Sequence, residues 1–245
     1  MNRRSTALIG WVLAVAVMAG FVALGAWQLR RMHEKQAMLD AAQRVLERRE
    51  AQPLSAAGDA NRSRAYDWAA GEGVFAEAPG VLLDNQQHAG RSGVRAYRVF
   101  LPASRGAPPL LVELGWLPLR GDRRMPQIPR PPGRQRVAGL LAPPPAHGIA
   151  TAPAAKQPDG TLLATSLEAS TLKQALGQAQ LAPRVLRLYP ANPLGYERDL
   201  DVLPNTLPPE RHLGYAVQWF ALALAVLVTA LVLSFRTSRK SKPKP

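Results

Sequence analysis

Two stretches of the chain hold no Asp, Glu, Lys or Arg, and between them short apolar runs alternate with turn residues. Residues 7–27 form the first uncharged stretch and residues 213–235 the second. As helices rising about 1.5 Å per residue they would reach roughly 31 and 34 Å, enough to cross the ~30 Å hydrocarbon core of a bilayer. The first could instead be the core of a cleaved signal peptide, with Arg3 and Arg4 as its basic region. Such cores run to about 7–15 apolar residues, so an uncleaved anchor is expected. Past residue 27 the helical period persists. Leu29, Met32, Leu39, Ala42 and Leu46 recur among Glu34, Lys35, Gln43, Glu47 and Arg48, which predicts an amphipathic stalk over 28–52 with Pro53 as its latest stop. Residues 53–63, small and polar around Gly58, read as a linker.

From 64 to 190 the period changes to two. Strands are predicted at 66–75, 81–87, 94–101, 110–116, 135–141, 162–165 and 185–188, with a hairpin closed by 85–93. The spacing Thr165-Ser-Leu-Glu168 matches a capping box opening a helix over 167–176, and Gly177 is placed to end it. Thirteen of the 23 prolines fall between Pro102 and Pro158, which predicts stiff, solvent-exposed connections that break the sheet into pieces. Residues 191–211 hold four more prolines and little periodicity, an extended return segment in which Thr206 can cap the final helix. The expected fold is a membrane-anchored α+β protein. Two transmembrane helices, 7–27 and 212–235, flank a β-rich antiparallel sandwich- or barrel-like extracytoplasmic domain with one packed helix.

The net charge of +14 changes this picture only through its placement. Arg3 and Arg4 precede the first span, and Arg236, Arg239, Lys240, Lys242 and Lys244 follow the second, with no acidic residue in either tail. The region between the spans holds 24 basic and 17 acidic residues, a diffuse excess that does not form a nucleic-acid footprint. By the bias of basic residues toward the cytoplasm, residues 1–6 and 236–245 are cytoplasmic and 28–211 lie outside. The chain has no cysteine, which removes disulfide stabilisation and excludes a thiolate-based copper chaperone.

Motifs of enzymes are absent: no HExxH, no P-loop, no GxGxxG after a strand and no GxSxG. An enzyme is therefore not expected. His88 and His147 read as solvated loop histidines, and Glu197, Asp199 and Asp201 as an exposed acidic loop rather than a cation site. At about 100° per residue, His212, Tyr215, Gln218 and Trp219 fall within an arc of about 120° at one end of the second span. Such a face is either an interfacial aromatic belt or a functional polar surface, and Gln218 favours the second, because an amide facing lipid needs a partner. If both termini share a side, Trp27, Gln28, Arg30, Arg31 and His33 lie at the same membrane surface. The two ends together would offer an imidazole ligand, aromatic walls for a planar macrocycle and arginines for its carboxylates.

Four segments carry a resemblance to a known family. They are Gly25-Ala-Trp27-Gln28-Leu29-Arg30, Leu83-Asp-Asn85-Gln, Val112-Glu-Leu-Gly115-Trp116-Leu-Pro118 and His212-Leu-Gly-Tyr215-Ala-Val-Gln218-Trp219-Phe220. With two spans around one β-rich loop, the chain resembles the surfeit-locus (Surf/Shy) family of cytochrome c oxidase assembly proteins along nearly its whole length. The family usually reads Asn-Arg-Gly-Trp where this chain has Glu113-Leu114-Gly115-Trp116, so an Arg-dependent role does not carry over to that segment. The resemblance implies an assembly factor for cytochrome c oxidase in the bacterial inner (plasma) membrane, with both termini cytoplasmic and the main domain periplasmic. It implies haem a as the bound group, His212 as ligand to the haem iron, and insertion of the haem into the large oxidase subunit. Tyr215, Gln218, Trp219, Trp27 and Gln28 would shape the pocket, Arg30 or Arg31 would pair with propionates, and His33 is a candidate second axial ligand. Expected partners are that subunit, other assembly factors and the lipid bilayer, with no nucleic acid. The alternative is a membrane-tethered structural chaperone for the oxidase subunit without a haem role. An extracytoplasmic sensor is disfavoured because residues 236–245 carry no output domain.

Overall fold

The computed structural model describes residues 3–119, 121, 124–145, 153–202 and 206–239. In chain order the elements are α1 (Arg3–Arg48), β1 (Ala51–Pro53), β2 (Asp67–Phe75), β3 (Val81–His88), β4 (Arg91–Pro102), β5 (Leu110–Pro118), β6 (Arg134–Ala142), β7 (Ala155–Lys156), β8 (Leu162–Ala164), α2 (Ala169–Leu176), β9 (Val185–Leu188) and α3 (Pro209–Arg239). The chain divides into two compact units, residues 1–38 with 207–245 and residues 39–206. The first holds α3 and most of α1; the second holds the sheet.

Two helices are long and apolar enough to cross a membrane, α1 and α3. Their apolar side chains, among them Leu8, Val12, Leu13, Val217, Leu224 and Phe235, are exposed, the reverse of a core helix in a water-soluble protein. The helix continues past the first span as expected, α1 running unbroken to Arg48. It stops where Arg49 turns to a positive φ of 50°, ahead of Pro53. The expected linker over 53–63 is instead two short 3-10 turns, Leu54–Gly58 and Ala60–Arg62, which bury Leu54 and Ala57. Buried Arg184 explains their order: it donates to Asp67 at 2.6 Å and to the Ala56 carbonyl.

Among the described residues the nine strands form one sheet in the order β1-β2-β6-β9-β5-β4-β3-β8-β7, with a further pairing of β2 to β4. That pairing closes a circuit through β2, β6, β9, β5 and β4. The sheet is mixed rather than antiparallel, since β1 with β2, β3 with β8 and β5 with β9 run parallel. Alternation along a strand reports which faces are covered and says nothing of a neighbour's direction, and long connections such as the one between β5 and β9 permit parallel pairs. Both faces are covered. Val94, Ala96, Phe100, Val112, Leu114, Leu186 and Leu188 belong to one core, and Val99, Leu111, Leu172, Leu176 and Val185 to the other, which takes in α2.

Three further expectations fail for local reasons. The helix α2 opens at Glu168 as the residue before its first turn, with no side-chain cap bond, so Thr165 does not begin it; Gly177 ends it in the left-handed conformation. Pro208 and Pro209 set the start of α3 three residues after Thr206, so the cap position does not belong to Thr206. The proline-rich connections do not fragment the sheet. Residues 126–132 are tacked to it by buried Ile128 and by Arg98, whose Nε and Nη2 donate to the Ile128 carbonyl at 3.0 and 2.6 Å.

Candidate functional site

The α1–α3 unit is an antiparallel pair, and the spacing of its small and aromatic residues shows why. On α3, His212, Ala216, Trp219 and Ala223 follow each other at intervals of four, three and four, and these turn inward while Leu213, Tyr215, Val217 and Gln218 do not. On α1, Phe21, Gly25 and Gln28 keep the same rhythm. Phe21 meets Trp219 with ring centroids 5.6 Å apart, and Trp11 Nε1 donates to Ser234 Oγ at 3.0 Å near the far end. Gly25 is buried, and a Cβ there would stand 2.7 Å from the Phe220 ring, so the close approach requires glycine.

At the end of the pair remote from both termini, His212 Nδ1 lies 2.7 Å from Gln28 Oε1. Facing an amide oxygen, which only accepts, the ring makes this bond in the tautomer that carries its proton on Nδ1. The imidazole is 7% exposed. Its Nε2 has no hydrogen-bond partner among the described residues, and it is not one of their fully buried unsatisfied atoms.

The other expected site residues do not converge on this pair. Tyr215 and Trp27 are 40% and 47% exposed, and Gln218 is exposed as well, so the arc of four on α3 divides into two inward and two outward side chains. Arg30 and His33 are exposed, and Arg31 is tied to Glu34 at 2.8 Å. Sequence reasoning did not identify Phe21, Gly25 and Phe220 as the residues that bring the helices together; the four-three spacing that Phe21, Gly25 and Gln28 share with α3 was the signal on α1, and Phe220 lies off it. His147 and the tail lysines Lys240, Lys242 and Lys244 lie outside the described residues.

A second polar constellation sits in the sheet. Glu113 on β5 is buried and receives Arg95 Nη1 at 2.6 Å, Arg187 Nε at 3.1 Å and the Tyr97 hydroxyl at 3.1 Å. Asp199 Oδ1 faces the same two guanidiniums at 3.5 and 3.3 Å. Burial alone would raise the Glu113 carboxyl, but Arg187 and Arg95 outweigh it and hold the group below the ordinary carboxylate range. The same balance, with Arg95 the first of the cations, lowers Asp199. Burial and the neighbouring Glu113 push the Tyr97 phenol well up, so it stays a donor.

His88 ends β3 and is not a solvated loop residue. Its Nε2 lies 3.0 Å from Glu197 and its Nδ1 2.8 Å from Asp199, while Arg91 covers Trp116 and pairs with Glu197 at 3.1 Å. The expected exposed acidic loop is therefore drawn onto the sheet by ion pairs. Gly115 makes room for this docking. Its φ of +126° skips Leu114 out of the β4 ladder, the Leu114 carbonyl accepts from Tyr196 N, and the Glu197 carbonyl accepts from Trp116 N, each at 2.7 Å.

Among the described residues no group of three or more His, Cys, Asp or Glu side chains could hold a metal ion. A metal at His212 would have one protein ligand and would need to bring the rest of its coordination sphere with it. No curated protein matches the chain. The model of the SURF1 family matches residues 15–224.

Proposed function

The chain belongs to the SURF1 family, known for cytochrome oxidase assembly, and from that premise we propose a non-catalytic assembly factor of the bacterial inner membrane. Both termini face the cytoplasm, α1 and α3 are lipid-embedded, and the sheet unit is periplasmic, in keeping with the basic tails and the exposed apolar surface of both helices. The protein holds haem a at His212 and assists its insertion into the large oxidase subunit, with other assembly factors as further partners.

One observation carries this reading: a buried imidazole at the end of an apolar helix pair whose Nε2 has no hydrogen-bond partner among the described residues. One side chain is a poor site for a bare ion, but it suits an iron that arrives already held by four macrocycle nitrogens. When bound, haem a supplies that iron. His212 would hold the metal through Nε2, Phe21 and Trp219 offer aromatic surface about two turns further along the pair, and exposed Arg30 is the freer of the two arginines for a propionate. Tyr215 and Gln218, which face outward, serve a bound macrocycle only on the outer side of α3.

The test is replacement of the resident gene, followed by measurement of haem a in the isolated large subunit. The wild-type chain restores full occupancy, and His212→Ala yields subunit depleted of haem a. Full occupancy with His212→Ala, together with loss of assembly on disruption of the sheet surface, would establish the haem-free chaperone instead.

A further inference from the structure

We infer that Gln28 is a positioning residue that sets the tautomer and orientation of His212, so that Nε2, and not Nδ1, is the nitrogen offered to a metal. The inference rests on the reading of His212 as ligand for its purpose, and on the hydrogen bond for its substance.

The neutral imidazole has one protonated and one bare nitrogen, and in water the proton prefers Nε2. A ligand histidine that binds through Nε2 must carry the proton on Nδ1, and proteins enforce this by giving Nδ1–H an oxygen to bond. Here that oxygen is Gln28 Oε1 at 2.7 Å, short for a bond of this type. The acceptor comes from the opposite helix, 184 residues away in sequence, so the bond exists only while α1 and α3 are paired. Gly25, one turn before Gln28, admits Phe220 and sets the close approach that lets the amide reach the ring. Arg31, one turn after Gln28, is engaged with Glu34 and does not compete for the amide oxygen. An amide on a helix that enters lipid is costly unless partnered, and this one spends its acceptor on the single buried histidine of the helix pair. Packing alone does not require a polar residue here, since an apolar side chain of equal volume would fill the same space.

The experiment uses full-length protein labelled with 15N-histidine in lipid vesicles, the His212 signals being assigned by their loss in His212→Ala. Without haem, the wild type is expected to show Nδ1 protonated and Nε2 bare. Gln28→Leu moves His212 toward the Nε2-protonated form, and Gln28→Glu keeps the proton on Nδ1. An Nε2-protonated wild type, or spectra unchanged in Gln28→Leu, would overturn the inference. In haem-loaded protein the two variants should move the midpoint potential in opposite directions. Glu, a stronger acceptor that gives the imidazole more anionic character, lowers it; Leu raises it. Shifts of the same sign, or none, would again overturn it. A wild type that takes up no haem while showing the Nδ1 tautomer would refute the ligand role of His212 and leave the positioning by Gln28 standing.

Discussion

Glu113 is the most consequential single side chain of the sheet unit. It is buried among two guanidiniums and a phenol, and removal of a partner from such a set strands a charge away from water, which costs about 3–5 kcal/mol. Glu113→Leu should therefore lower the unfolding free energy, measured by denaturant titration followed through tryptophan fluorescence, by about that amount. Glu113→Gln, which keeps the volume and one acceptor oxygen for these donors, should lose less. A midpoint unchanged in Glu113→Leu would mean that the surrounding arginines find water or other partners. The alternation of β4 places Arg95 and Tyr97 on one face, and that much is legible in the chain. Their common partner is not, because Glu113, Arg187 and Asp199 come from three distant segments and ion pairing leaves no periodic trace. His212 and Gln28 lie at the other extreme. Both were legible as candidates because an imidazole and an amide at the ends of uncharged stretches each need a partner, while the bond between them required the helices to be seen together.

At the scale of elements, seven of the nine strands follow the pleat and were foreseeable from it to within a few residues, while β1 and β7, three and two residues long, are too short to show an alternation. The junctions were not, since they depend on contacts far along the chain: the turns at 54–62 form around Arg184, and the bulge at Gly115 exists to admit residues 195–197. Gly115→Ala would set a side chain at a φ of +126° and drive it to 2.7 Å from the Tyr196 and Glu197 carbonyl oxygens. The backbone term alone is about 1–3 kcal/mol, so a lower thermal midpoint is expected, with residues 195–201 becoming the first site of limited proteolysis. Unchanged cleavage would separate the bulge from the docking of this segment. In the helix pair, Gly25→Leu meets the Phe220 ring, whereas Gly20 has nothing within 4 Å of its would-be side chain. Overpacking of this kind costs about 1–3 kcal/mol. Gly25→Leu should therefore weaken haem retention while Gly20→Leu leaves it intact, as read by haem content per protein; equal loss in both would show that the pair is not held by the Gly25 contact.

For the whole molecule, acidity is a natural stress on a sheet unit that no disulfide stabilises. Asp67, Glu113 and Asp199 all titrate below their ordinary values, held there by arginines against the opposing effect of burial. A carboxyl whose folded value is depressed contributes its stability in full above the unfolded value, near pH 4, and loses it as pH falls through the folded value below. The thermal midpoint of the full-length protein should thus fall as the pH drops below about 4, and Asp199→Asn should flatten part of that slope. The central claim concerns the other unit. Full-length protein purified in detergent from cells that make haem a is predicted to show the haem a absorption spectrum, and His212→Ala, purified alongside, to lack it. A His212→Ala protein that carries the wild-type amount of haem would contradict the account.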